Sequence, residues 1–344
     1  MKLKRVWFWV SICILYGVVV FFVNENAKAQ ETNLPLSIEP IYPKNHNPQI
    51  KGYFDLTVNP GDEQSLSVRI TNKEDEEVTV SMKSANAYTN PSGGMMYEDE
   101  IDSPDTGLLN DAVRMAEYIK IEETVTVPPL SSVDVPIEFS VPGSDGQTLL
   151  GGILFTTQGD ETEQQQEVEE GTANFVLKTE TVYAIAVQLN LPTTVTSNFF
   201  LGEAGFIPET AQVFIEMTND AQKIQEEITG TYSVSDQEGN KLFNGEFGPF
   251  KMAPKSKIRY PFQWGHDTLE DGNYTLNIKG NIADRAFSIS KVFTIKNKDV
   301  EEYVEKTQPN VPQANVNNGI PIWVWIISAV LFGIVMFVLG KRKK

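Results

Sequence analysis

The chain has 344 residues, of which 46 are Asp or Glu and 28 are Lys or Arg, giving a formal net charge of −18 at pH 7. One cysteine and two histidines exclude a disulfide scaffold, a cysteine–metal framework and a His-rich metal centre. The acidity repels nucleic acid, and it is concentrated between residues 30 and 320, since Glu25 alone among the acids lies outside that segment.

At the N-terminus Lys2, Lys4 and Arg5 precede an apolar stretch, Val6–Val23, and Ala27-Lys28-Ala29 supplies small residues at a cleavage position. This is the pattern of a secretory signal peptide over residues 1–29, cut after Ala29. The stretch is longer than the usual h-region, so an uncleaved signal anchor is the other reading. Cys13 lies inside the signal, preceded by Ile12 in place of the small residue that a lipoprotein signal requires. The mature chain is expected to hold no cysteine, which suits export to a bacterial surface.

From residue 35 onward, apolar and polar residues alternate with period two. Leu66, Val68 and Ile70 form one such face; Val133, Val135, Ile137, Phe139 and Val141 form another. Strands with one dry and one wet face predict antiparallel sheets packed face to face. Residues 35–190 are expected to form a first β-sandwich, with one helical turn over Leu108–Glu117 and a long last strand, Phe175–Asn190. Within it, Tyr88, Met95, Met96 and Tyr97 surround a Pro/Gly turn. Rigid amphipathic rings on a loop suit contact with sugar or peptide; capping of the sandwich end is the other account of the same tyrosines. Gly151-Gly152 inside a strand predicts a bulge or a close approach by another segment or a ligand. These six residues are the binding candidates. The acidic run Asp99–Asp111 lacks the spacing of a calcium loop, and Asp160–Gly171 reads as an acidic hairpin tip.

The chain is expected to turn into a second domain at Leu191–Thr194. Residues 194–298 alternate again, for example Tyr274, Leu276 and Ile278 against Thr275, Asn277 and Lys279, and predict an independently folding immunoglobulin-like sandwich. Pro254 predicts an edge or a crossover between sheets. Residues 299–320 are polar, rich in Pro and Asn, and read as a linker. The run from Ile322 to Leu339 is long and apolar enough to cross nearly all of a hydrocarbon core about 30 Å thick. Trp323 and Trp325 stand at its outer end and Lys341-Arg342-Lys343-Lys344 at its inner end. That predicts a transmembrane helix over 321–340, a cytoplasmic tail over 341–344 and an extracellular ectodomain.

The expected fold class is therefore all-β: two tandem immunoglobulin-like sandwiches between a signal peptide and one C-terminal transmembrane helix. No Gly-x-Ser-x-Gly elbow, phosphate loop or dinucleotide fingerprint is present, and His46 and His266 stand far apart in sequence. No catalytic residue, metal ligand or cofactor is assigned. A non-enzymatic binding module is the leading expectation, with a carboxylate-based wall hydrolase or a structural spacer as alternatives.

Gly52-Tyr-Phe-Asp-Leu-Thr-Val-Asn-Pro-Gly61, Leu66–Asn72, Val127–Val141 and Leu150-Gly-Gly-Ile-Leu-Phe155 resemble the first domain of the WxL-interacting protein family. Phe250-Lys-Met-Ala-Pro-Lys-Ser256, Gly272-Asn-Tyr-Thr-Leu276 and Lys291-Val-Phe-Thr-Ile295 resemble its second. The resemblance implies a surface protein of Gram-positive bacteria that binds peptidoglycan through its first domain and host matrix proteins through its second. It also implies assembly with WxL-domain surface proteins, and it carries no catalytic residues.

Overall fold

The computed structural model describes residues 35–158, 180–283 and 285–307. The expected signal peptide, the acidic tip at 160–171 and the expected transmembrane helix lie outside the described residues. Among those described, no helix is long and apolar enough to cross a membrane.

The chain is all-β, and its strands follow the period-two pattern. In order they are β1 (Leu36–Ile41), β2 (Phe54–Thr57), β3 (Glu63–Asn72), β4 (Val78–Thr89), β5 (Met95–Glu98), β6 (Thr106–Leu108), β7 (Ile119–Lys120), β8 (Thr124–Val127), β9 (Ser132–Ser140), β10 (Thr148–Gln158) and β11 (Glu180–Asn190). There follow β12 (Phe199–Ile207), β13 (Gln212–Asn219), β14 (Gln225–Ser235), β15 (Lys241–Met252), β16 (Ser256–Gln263), β17 (Gly272–Ile282) and β18 (Arg285–Ile295), then a helix α1 (Asn297–Thr307).

Two sheets enclose the first core. One runs β1-β3-β9-β7 and the other β2-β11-β10-β4-β5, with β8 added beside β4. Leu66, Val68 and Ile70 of β3 and Val135, Ile137 and Phe139 of β9 face Ile153 and Phe155 of β10 and Val187 of β11, all buried. β2 and β11 pair in parallel, Phe54 opposite Val187. Beside them the buried carboxylate of Asp55 accepts hydrogen bonds from Asn47, Gln188 and Asn190, which pins the 42–53 loop to this sheet edge.

Two further sheets, β12-β13-β16-β6 and β15-β14-β17-β18, enclose the second core. That core is rich in aromatic rings: Tyr232 stacks on Phe262 with centroids 4.1 Å apart, and Tyr274 on Phe293 at 5.7 Å. Offset and edge-on ring pairs of this kind add to the area they bury. The chain passes from one sheet to the other at Ala253–Lys255, where Pro254 interrupts the ladder.

Two local expectations change. The predicted helical turn over Leu108–Glu117 is a 3-10 turn at Met115–Tyr118, preceded by the short strand β6. The first part of the predicted linker is helical: α1 holds residues 297–307 and rests Val300 on the second core. Asn297 donates to Glu301 one turn on, and the N–H of Lys296 donates to Asp299, an acid in the first turn that complements the helix dipole.

Candidate functional site

β6 belongs by sequence to the first half, yet it pairs with β16 of the second, Thr106 opposite Ile258 and Leu108 opposite Ser256. The junction around it is closed by buried polar groups. The Ala253 N–H donates to Thr89 Oγ1 at 2.9 Å, Thr89 Oγ1 lies 2.6 Å from Ser256 Oγ, and Ser256 donates to the Ala253 carbonyl at 2.7 Å. The ring of three bonds satisfies every partner only when both halves are present. Thr106 Oγ1 donates to the Thr89 carbonyl at 2.6 Å. Lys255 bridges Asp111 at 2.6 Å and Asp220 at 2.9 Å. Burial works against its charge, but the two carboxylates outweigh burial and hold its pKa above the ordinary lysine value.

The sequence-derived binding candidates lie here. Tyr88 is 2% exposed. Met95 and Tyr97 pack with Ala87, Leu150, Ile224 and Ala253, so that they fill the space between the halves, and Met96 is half-buried opposite Tyr88. Burial, and then the nearby Tyr53, push the Tyr97 phenol well above its usual range. In the hairpin turn, Gly93 has φ +92°, and a Cβ there would stand 2.6 Å from the Phe250 side chain. Only glycine meets both conditions. Gly151 and Gly152 keep regular register with Val187 and Ala186, so the strand carries no bulge. Each lets another segment approach: a Cβ at Gly151 would stand 2.5 Å from Met115 Cβ, and one at Gly152 would stand 2.7 Å from Tyr97 Cδ1. The registers divide the six candidates between the two faces of this sheet: Tyr88, Met96 and Gly151 on one, Met95, Tyr97 and Gly152 on the other, and the segments that approach the two glycines belong to the protein itself.

Two open surfaces were not singled out by the sequence. On the first half a cleft of about 290 Å³ opens over β3, β9 and β7, lined by Glu63, Gln64, Ser65, Tyr118, Lys120, Glu138, Phe139 and Ser140. Register places Glu63 opposite Ser140, and Glu138 between Ser65 and Lys120. Phe139 points into the core, while the charged side chains are exposed and Tyr118 is half-buried. Asn45 donates to Gln64 at 3.1 Å and fixes that wall to the 42–53 loop.

On the second half, the outer face of β15-β14-β17-β18 holds a shallow hollow of about 870 Å³. The row Glu246-Thr231-Lys279-Ser288 lines it together with Thr229, Asn281 and Ala286, and the row Asn244-Ser233-Asn277-Ser290 continues the same face beside it. Glu246 and Lys279 are the only charges in those rows. In so acidic a chain this is a neutral hydrogen-bonding face, and the Thr-x-Thr-x-Ser-x-Ser alternation of β14 was the sequence signal for it.

Among the described residues no group of three His, Cys, Asp or Glu side chains is placed to hold a metal. His46 is committed to the Ile50 carbonyl at 2.9 Å and to the N–H of Asp55 at 3.2 Å, while His266 is exposed.

No curated protein matches the chain. Solved structures similar to it include the class 5 fimbriae chaperone CfaA, with 12% identity over 74% of this chain and 98% of that one and a TM-score of 0.31. Another is the CsuC–CsuE chaperone–tip adhesion subunit pre-assembly complex of Acinetobacter baumannii archaic chaperone-usher Csu pili, with 10% identity over 76% and 100% and a TM-score of 0.33. The model of the WxL Interacting Protein peptidoglycan binding domain matches residues 36–157, and that of the host binding domain matches residues 172–305. Both describe binding domains, and the second span takes in β11, whose hydrogen bonds go to β10 and β2 of the first half. With two of its models in order along most of the sequence, the chain belongs to the WxL Interacting Protein family.

Proposed function

We propose that the protein is a non-enzymatic adhesion and assembly module of the Gram-positive cell surface. Its first half grips peptidoglycan and its second half holds a protein partner, a WxL-domain protein or a host matrix protein. The observation that carries this reading is the order of the two binding-domain models on one chain. The open cleft at Glu63–Ser140 lies within the peptidoglycan-binding span, and the neutral outer face of β15-β14-β17-β18 within the host-binding span. Hydroxyls and amides without a strong charge suit a large protein contact in a chain that otherwise repels anions. Two sheets packed face to face in each half, antiparallel apart from the β2–β11 pair, support an immunoglobulin-like description of each. The signal at 1–29 and the apolar run at 321–340 export the middle of the chain and leave it anchored, with 341–344 in the cytoplasm.

Glu63 and Glu138 are exposed, whereas a general acid for glycoside cleavage needs burial to keep its proton at neutral pH. The hydrolase alternative therefore gains no support from the cleft. Sedimentation of residues 30–320 with purified sacculi tests both readings together. Cosedimentation without release of soluble fragments is expected; released muropeptides would establish a hydrolase, and no cosedimentation would remove peptidoglycan as the ligand. For the topology, protease applied to wall-stripped cells is expected to digest the exported segment and spare a C-terminal tag.

A further inference from the structure

The cleft on β3-β9-β7 is more specific than a general wall contact. Its charges stand in a fixed order: Glu63 and Ser140 form one row beside Tyr118, and Ser65, Glu138 and Lys120 form the next. Side chains paired directly across antiparallel strands have Cβ atoms roughly 5 Å apart, so Lys120 and Glu138 hold opposite charges side by side. Among the described residues Lys120, Glu63 and Glu138 have no ion-pair partner within the protein. The neighbouring Arg69 and Asp134 on β3 and β9 pair with each other at 2.7 Å. Three exposed charges therefore surround one small concavity, two negative and one positive, with Lys120 beside Glu138 and Glu63 without a neighbouring cation in its row.

A glycan strand is a poor occupant. N-acetylated sugars are neutral and would strip water from three charges without returning a counter-charge. Sugar rings also favour an open aromatic platform, and Tyr118 packs partly against the core. A peptide that bears an ammonium and a carboxylate offers a counter-charge to both signs in the cleft.

We infer, on the reading that the first half binds peptidoglycan, that this cleft takes the stem peptide of the polymer and leaves the glycan strand outside. The free ammonium of the peptide's diamino residue lies between Glu63 and Glu138. A peptide carboxylate meets Lys120, and Gln64, Ser65 and Ser140 supply donors and acceptors to the backbone. With two carboxylates to one amine, the cleft selects stems whose amine is not consumed in a cross-link, which directs the protein to immature or loosely linked wall.

The test is competition against binding of the full chain to sacculi, using three soluble probes: a tetrapeptide stem with a free side-chain amine, the same peptide N-acetylated on that amine, and the N-acetylated disaccharide without peptide. The free peptide is expected to displace the protein, with the acetylated peptide at least tenfold weaker and the disaccharide without effect. Glu138→Gln and Lys120→Gln are each expected to weaken the free peptide about tenfold. Both positions are exposed, so unchanged thermal unfolding checks that the fold is intact. Equal competition by the free and acetylated peptides, or displacement by the disaccharide alone, overturns the inference while sacculus binding, and the broader reading, stands. Failure of the wild-type chain to bind sacculi at all overturns the broader reading instead.

Discussion

The hairpin at Tyr88–Tyr97 and the cleft at Glu63–Ser140 are both aromatic and polar surfaces of the first half, but one is closed and the other open. At the hairpin, Tyr88 is 2% exposed, and Met95 and Tyr97 are half-buried against the cluster that holds Ala253. At the cleft, Lys120, Glu63 and Glu138 keep their water. Soft and aromatic side chains around a turn look alike whether they await a ligand or a neighbouring domain, because both uses bury the same kind of surface. Unpaired charges are different. Burying them without partners costs several kcal/mol, so a protein leaves them open only where a partner or solvent meets them.

The strongest way to break this contrast is to separate the halves. Residues 194–298 alone lose β6, which leaves the outer edge of β16 unpaired, and lose the cluster around Ala253 and the Gly93 turn that lies against Phe250. We expect this fragment to aggregate or to melt without cooperativity, whereas residues 35–307 unfold in one transition by calorimetry. A monomeric fragment with a sharp transition would show that the junction is dispensable, as the alternation of the second half alone suggests. Next in size, Tyr88→Ala is expected to destabilise the ectodomain by about 3–5 kcal/mol in denaturant titration, the loss typical of a fully buried ring. A change below about 1 kcal/mol would mean that the ring is a surface feature after all.

Two smaller substitutions probe the contact atom by atom. Gly152→Ala places a methyl against the Tyr97 ring and is expected to cost about 1–3 kcal/mol. In a Tyr97→Leu background most of that cost should vanish, and an additive double-mutant cycle would reject the contact. Thr89→Val keeps the shape but orphans the buried Ala253 N–H, for an expected loss of about 1–3 kcal/mol.

The least effect is expected at the Lys255–Asp111 pair, a partly exposed bridge of below about 1 kcal/mol. The Lys255 hydrogen bond holds the Asp111 carboxyl below its ordinary pKa. Its contribution is therefore full above the ordinary aspartate range and is lost as the pH falls through the lowered folded value. The raised pKa of Lys255 works at the other end: that support persists through neutral pH and fades only as the pH climbs past the ordinary lysine value. The stability difference between wild type and Lys255→Met should be flat at neutral pH and shrink in acid. A difference that grew on acidification would reverse the assignment.

The strands were legible in the residues alone, because burial on one face of a sheet enforces a period of two. Leu66, Val68, Ile70, Tyr274, Leu276 and Ile278 are buried as their alternation requires, and the crossover at Pro254 was readable from a missing backbone donor. The family likeness was also readable, from short motifs in a fixed order. Tertiary structure alone decided which surfaces remain open. β6 is three residues long and shows no alternation, so nothing local announces that it completes a sheet of the other half. Gly151 and Gly152 announced a close approach, but only packing showed that Met115 and Tyr97 make it. Glu63, Glu138 and Lys120 are far apart in the chain and ordinary in composition. They form a cleft because β3, β9 and β7 are neighbours in one sheet, and strand order is set by the long-range collapse of two apolar faces, which leaves no mark within any single strand.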